Sequence, residues 1–355
     1  MQAGLLSTYQ SPVRNRNAVA WLLSALLAAF YVDLYFFDHL EAVARLLHLP
    51  NKWFVYGLIY TVGMVVGGHF MLRKHGNSRY HRIRTFTLIG VQIILAFSLP
   101  LVLKITGNPE LYLSYFWPLS IDKLFPGTLK DLPLYAVVWF VGGALVGLPA
   151  LVYFKGKRAY CSWICGCGGL AETFGDPWRH LSDKSNRAWK IEQVSVHTVL
   201  GLALLTTGFM IADAAGATGN GNLHQVAETG RTWYGFAIGA IFSGVVGVGF
   251  YPLMGTRVWC RFGCPMAALL GLIQKLGRFR ISVKKDMCIS CGNCSTYCEM
   301  GIDVRAYAMA NLDFKRASCV GCGMCAHVCP RGVLKLETRV DGGPQGSIGV
   351  WTLDL

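Results

Sequence analysis

Acidic residues are scarce in this chain. Only 19 Asp and Glu stand against 33 Lys and Arg, and charged residues of all kinds make up 15% of the 355 residues. Soluble domains carry about 25%, so the deficit excludes an ordinary water-facing surface over much of the chain. Also missing are a phosphate-binding P-loop, a Gly-x-Gly-x-x-Gly turn after a strand and a Ser-His-Asp signature, which removes the usual bases for nucleotide chemistry and acyl transfer. The chain is neither small nor loop-rich, so its 13 cysteines do not read as a secreted disulfide framework. Eight of them crowd one C-terminal stretch and five fall in two short groups, as metal ligands in a reducing compartment would. A net charge of +14 can signal nucleic acid, but the basic residues lie in loops between apolar runs. That pattern points to anionic lipid and away from nucleic acid.

Hydrophobic residues are abundant, at 53%. Six runs, about 19–37, 53–72, 84–104, 133–153, 196–216 and 233–254, each reach the roughly 20 residues that a helix needs to cross a bilayer. The first run is too long and too aromatic for a signal peptide and no small-residue cleavage site follows it, so an uncleaved span is expected. Loops alternate in charge. The N-terminus with Arg14 and Arg16, residues 73–85 and residues 154–195 hold 14 basic residues, against 6 in the intervening loops. Basic loops stay inside, which predicts an inner-membrane protein with both termini and the cysteine-rich tail in the cytoplasm. The expected fold is mainly α, a six-helix transmembrane bundle followed by a two-cluster α+β domain of the ferredoxin kind. Its parts are a span domain over 1–255, a membrane-edge segment with a connecting helix over 256–280, the ferredoxin domain over 281–340 and a tail over 341–355.

The ferredoxin expectation comes from residues 288–298 and 319–329, which both read Cys-x₂-Cys-x₂-Cys-x₃-Cys at a 31-residue offset. In this run three thiolates wrap one [4Fe–4S] cubane and the fourth ligates the other cluster. Cys288, Cys291, Cys294 and Cys329 are therefore expected on one cluster, and Cys319, Cys322, Cys325 and Cys298 on the second. Zinc ribbons use separated Cys-x₂-Cys pairs instead of two quartets. Pro330 follows the second quartet, whereas Glu299 takes that place after the first. The module is basic, through Lys284, Lys285, Arg305, Lys315, Arg316, Arg331 and Lys335, which suits anionic lipid or an acidic docking partner.

The other five cysteines form a second repeat. Arg158-Ala-Tyr160-Cys161-Ser-Trp163-Ile-Cys165 matches Arg257-Val-Trp259-Cys260-Arg-Phe262-Gly-Cys264, and each follows an apolar run. An internal duplication relating spans three and four to spans five and six accounts for this. If each helix continues, cysteines four apart share a face. Cys161, Cys165, Cys260 and Cys264 then supply four thiols, with Cys167 as a further candidate. A third cluster, a metal site and a redox dithiol all fit, and so does inert packing. Arg158, Arg257 and Arg261 are expected to offset the thiolate charge.

With these motifs the chain resembles the membrane polyferredoxins typified by NapH, with NosR and CcoG as relatives. The resemblance rests on Cys260-x₃-Cys264-Pro265, the quartets at 288–330 and the helices before them. It departs at Cys161-Ser-Trp-Ile-Cys165, which Gly166 and Cys167 follow in place of proline. It implies quinol-linked electron transfer as a subunit of a membrane redox complex. A metal-reducing or assembly factor of the CcoG kind and a redox sensor are the alternatives. Asp33, Asp38 and His39 are candidates for proton release at the outer face, with Asp213 a further ionisable group near the outer end of span five. His69 and His197 lie at matched depth but outside any haem motif, so haem is not expected. Aromatic residues in the loop 105–132 suggest an interfacial segment.

Overall fold

The protein is described by a computed structural model over residues 17–216 and 221–338. Arg14, Arg16 and the tail 341–355 lie outside the described residues. Five helices are long and apolar enough to cross a membrane: Ala18–Phe36, Lys52–His75, Arg79–Ile105, Leu134–Lys155 and Asn186–Ala214. Four of them start where a side chain satisfies a free backbone N–H. Asn17 accepts from Ala20, Asn51 from Trp53, Ser78 from His81 and Ser185 from Ala188. The Ser78 and Ser185 caps explain why spans three and five begin earlier than hydropathy alone predicts, since each carries its first turns through the basic loop.

The run expected at 233–254 is not among those five. Helix Gly221–Tyr234 passes directly into a π-helical stretch, Gly235–Val246, and a short helix, Tyr251–Met254, follows. Wider π-turns also interrupt spans three and four, at Gln92–Ser98 and Gly143–Gly147. Trp21, Leu22, Phe70, Phe86, Ile94, Val138 and Leu205 face outward and are exposed. Such a belt is unfavourable in water and at home in hydrocarbon.

The two ends of the bundle differ. At one end Lys52 pairs with Asp38 at 2.9 Å, His224 with Asp213 at 2.8 Å, and Trp117 donates to Thr207 at 3.0 Å. At the other end the turn after span two, the stretch 156–185 and the stretch 255–264 all meet the cysteine-rich module. Tyr80 donates to the Gly321 carbonyl, Ser162 to that of Val320 and Ser182 to that of Glu299.

That module is closed by strand β1 (Phe279–Val283) and strand β2 (Leu334–Thr338), antiparallel with Phe279 opposite Thr338. Its internal repeat is visible in the backbone. Ser290 and Gly321, Gly292 and Gly323, and Gly301 and Gly332 all have positive φ at the same 31-residue offset. One apolar cluster joins Phe279, Ile281, Val320 and Cys294 of the module to Cys161, Cys165, Trp259 and Cys264 at the membrane edge. The segments 256–280 and 281–338 thus share one core.

Candidate iron–sulfur sites

The module holds two cavities. One is lined by Cys288, Cys291, Cys294 and Cys329. The other is lined by Cys298, Cys319, Cys322 and Cys325. The fourth cysteine of each quartet lines the cavity of the other quartet. Gly292 and Gly323, at φ +82° and +81°, start the short helices that carry the third cysteine of each quartet, Cys294 and Cys325, and this left-handed turn suits glycine. Burial pushes the Cys294 thiol up to about 12 and that of Cys319 to about 11. Thiols pushed up in this way disfavour unmetallated thiolates and suit a cationic iron core. Among the described residues no three His, Cys, Asp or Glu side chains gather as they would around a single metal ion. A cubane, with its thiolates on outer corners, makes no such demand.

The membrane-edge thiols also come together. Cys264 lies in the electrostatic field of Cys260, Cys165 and Cys161, and burial together with these neighbours pushes its thiol far up. Burial raises Cys161 to about 12 against the pull of Lys157, while a hydrogen bond from the Cys167 thiol lowers Cys165 to about 7. The two copies of the motif have one backbone plan. Gly156 at φ +82° and Gly255 at φ +90° open them. A helical turn carries Cys161 in one and Cys260 in the other. Cys165 and Cys264 then stand at the N-caps of Gly166–Glu172 and Pro265–Leu276. This corrects the expectation of continuous helix, since each pair straddles a break. The second thiol gains the partial positive charge of a new helix start instead.

The expected arginine trio is also corrected. Arg158 stacks on the Phe279 ring with 4.7 Å to its centroid, and Arg261 binds Glu192 at 3.0 Å. Of these three, Arg257 alone reaches a sulfur, Cys260 Sγ, at 3.6 Å. Its cationic companion is Lys157, which the sequence did not single out. Lys157 is buried, donates to the carbonyls of Ala267 and Ala317, and acts on Cys161, Cys260 and Cys319 together.

Between the sites lies a buried charge network that no sequence pattern announced. Glu172 pairs with Arg84 and, at 2.6 Å, with Arg257. Glu299 pairs with Arg257 and Arg179, each at 3.0 Å. Arg179 also approaches Cys322 Sγ at 3.9 Å. Burial opposes ionisation of Glu299, but Arg179 and Arg257 outweigh it and hold the carboxyl below its usual range.

On the membrane side of Cys165, polar groups converge on Gly166. A Cβ there would lie 3.1 Å from the Tyr115 hydroxyl, 3.3 Å from Gln92 Oε1 and 3.6 Å from the Tyr60 hydroxyl. Gln92 opens the π-turn of span three, a spacing that helical periodicity cannot reveal. Of the other candidates, Asp33 meets His39 at 2.5 Å, His197 bonds the Gln193 carbonyl, and His69 is exposed on its helix.

Fold and sites together define an iron–sulfur protein with 4Fe-4S ferredoxin-type domains and helices apolar enough to cross a membrane. Residues 281–336 match the family described as 4Fe-4S dicluster domain. Residues 138–191 and 235–284 each match the 4Fe-4S binding domain, one copy over each membrane-edge motif. The chain is 26% identical over 165 residues to YccM of Escherichia coli, a protein named for electron transport, covering 42% of this chain and 43% of that one. It is also similar to the methylamine utilization ferredoxin-type protein MauN. The identity is 29% in Methylorubrum extorquens, covering 51% of this chain and 60% of that one. With MauN of Methylobacillus flagellatus it is 25%, covering 51% and 59%. The chain thus spans about half the length of the curated relatives it matches. No solved structure matches it.

Proposed function

We propose that this protein carries electrons between a quinone pool or membrane partner and a partner redox enzyme. Two [4Fe–4S] clusters sit in the crossed cavities of the module, and a third is held by Cys161, Cys165, Cys260 and Cys264. Each cluster supplies one-electron redox chemistry when bound. The chain's residues exclude water, provide thiolates and fix the spacing. The observation that carries the reading is the continuous core joining the membrane-edge thiols to both module cavities. The doubled family match over the membrane-edge motifs supports it. The hydroxyls of Tyr60 and Tyr115 with Gln92 offer hydrogen bonds to a quinone head group beside Cys165.

The same reading keeps six crossings, with the module in the cytoplasm at the inner membrane. Span five ends at Ala214, and the chain next meets the module at 255–264, so the run at about 233–254, with the π-helical stretch Gly235–Val246 inside it, makes the return crossing. In the electron-carrier reading, Cys161→Ser and Cys264→Ser each lower iron content by the same increment, and a soluble quinol reduces the native chain. A chain whose iron is unchanged by both substitutions and that quinol does not reduce refutes it.

A second reading, a metal-reducing or assembly factor, is favoured by one observation. Cys167 is a fifth thiol, bonded to Cys165 and surplus to a cubane. Copper bound at these five cysteines in the iron-free chain would support it.

A further inference from the structure

Glu299 occupies a position where its counterpart in the repeat, 31 residues on, is Pro330. The two environments are opposite. Pro330 is exposed, whereas Glu299 is fully buried against the membrane-edge segments. A buried carboxylate persists only when paired, and Glu299 has two partners from different parts of the chain. Arg179 comes from the turn Asp176–Leu181, and Arg257 precedes the helical turn Val258–Phe262. Each then points at a sulfur of a different site, Arg179 at Cys322 and Arg257 at Cys260. The connected line is Cys322, Arg179, Glu299, Arg257, Cys260. Glu172 and Arg84 brace it from one side, with Arg84 bonded to the Cys322 carbonyl.

We propose that Glu299 is a positioning residue that couples the inner module cluster to the membrane-edge cluster by holding one arginine against a sulfur of each. This rests on the reading that the membrane-edge thiols carry a cluster. Reduction adds one negative charge to a cluster, and a nearby guanidinium stabilises that charge. Asp176 also pairs with Arg179 at 3.1 Å and Glu172 with Arg257 at 2.6 Å, but Glu299 is the carboxylate bonded to both guanidiniums and offsets both. It therefore keeps both potentials lower than the arginines alone would, and it transmits part of the charge change at one site to the other. Proline at 299 would permit the turn but supply no such charge.

The test is a redox titration of the purified full-length chain followed by EPR, with iron counted in every sample. Glu299→Gln keeps the shape and removes the charge. It should raise the midpoints of both the Cys322 and Cys260 clusters by at least tenfold in the reduction equilibrium, 59 mV for a one-electron couple. The Cys288 cluster should move less. Glu299→Asp should stay within threefold of the native chain at both sites, and Arg179→Gln should move the Cys322 cluster alone. A fully loaded Gln variant in which neither midpoint moves, or only one, overturns the proposal. If the Gln variant loses iron, the native chain decides: reducing one of the two clusters must make the other harder to reduce, and independent midpoints overturn the coupling. Iron content separates this from the underlying reading. About eight irons per native chain, two cubanes of four, would remove the membrane-edge cluster itself. About twelve with unmoved midpoints would remove only the role of Glu299.

Discussion

Replacing Gly156 by alanine should loosen the module from the membrane edge. Gly156 has φ +82° and ψ 165°, a backbone region that is essentially glycine-only. Forcing an L-residue into it costs about 1–3 kcal/mol. The new Cβ would stand 2.5 Å from Phe279 Cβ and 2.6 Å from its Cγ, inside any real contact. Phe279 cannot retreat easily, because it is fully buried, begins β1 and carries the Arg158 guanidinium on its ring. Overpacking of this kind costs a further 1–3 kcal/mol or so. Together these give about 2–6 kcal/mol, or at 1.4 kcal/mol per tenfold a roughly 30-fold loss at the low end. Hydrogen exchange of the β1 amides in the detergent-solubilised chain reads this directly. Protection of Phe279–Val283 should fall by about that factor or more. Gly201→Ala is the control, since a Cβ there meets nothing within 4 Å. A change below threefold in Gly156→Ala, or an equal fall in the control, would refute the reasoning.

Cys298→Ser should disturb the EPR signal of the cluster at Cys319, Cys322 and Cys325, and Cys329→Ser that of the cluster at Cys288, Cys291 and Cys294. The reverse assignment would mean that each quartet closes on itself. A cysteine introduced at Lys130 should be labelled by an impermeant reagent from outside intact cells, whereas cysteines at Asn77 or Arg187 should not, and the opposite pattern would invert the topology. Lys157→Met keeps the side-chain length but removes two bonds from a charged donor, each worth about 1.5–3 kcal/mol. Iron should then be lost to a chelator several times faster than from the native chain, and an unchanged rate would show that Lys157 does not hold the two sites together.

The parts legible in the sequence are those written in short spacings. The two quartets prescribe the crossing of Cys298 and Cys329, because cysteine separation in a ferredoxin run sets which cubane corner each thiol can reach. The Arg-x-aromatic-Cys repeat likewise located the second group of thiols. What stayed hidden depends on chain segments far apart. Glu172, Arg179 and Glu299 are unremarkable in their own stretches, and only the docked loops bring them together. The break between Cys161 and Cys165 was missed because a spacing of four reads as one helical face. Gln92 was passed over because an amide within an apolar run resembles an ordinary polar inclusion.

The shared apolar core has a consequence for how the protein is made. Cys161 and Cys165 emerge from the ribosome more than a hundred residues before Cys288–Cys329, the stretch that will lie against them. Until that last segment is synthesised, the early thiols have neither their apolar cover nor Glu299 to restrain Arg257. If those thiols hold the proposed third cluster, its insertion is thereby tied to completion of the chain. A polypeptide truncated before residue 279 can thread its spans yet has no means of sealing the site they present.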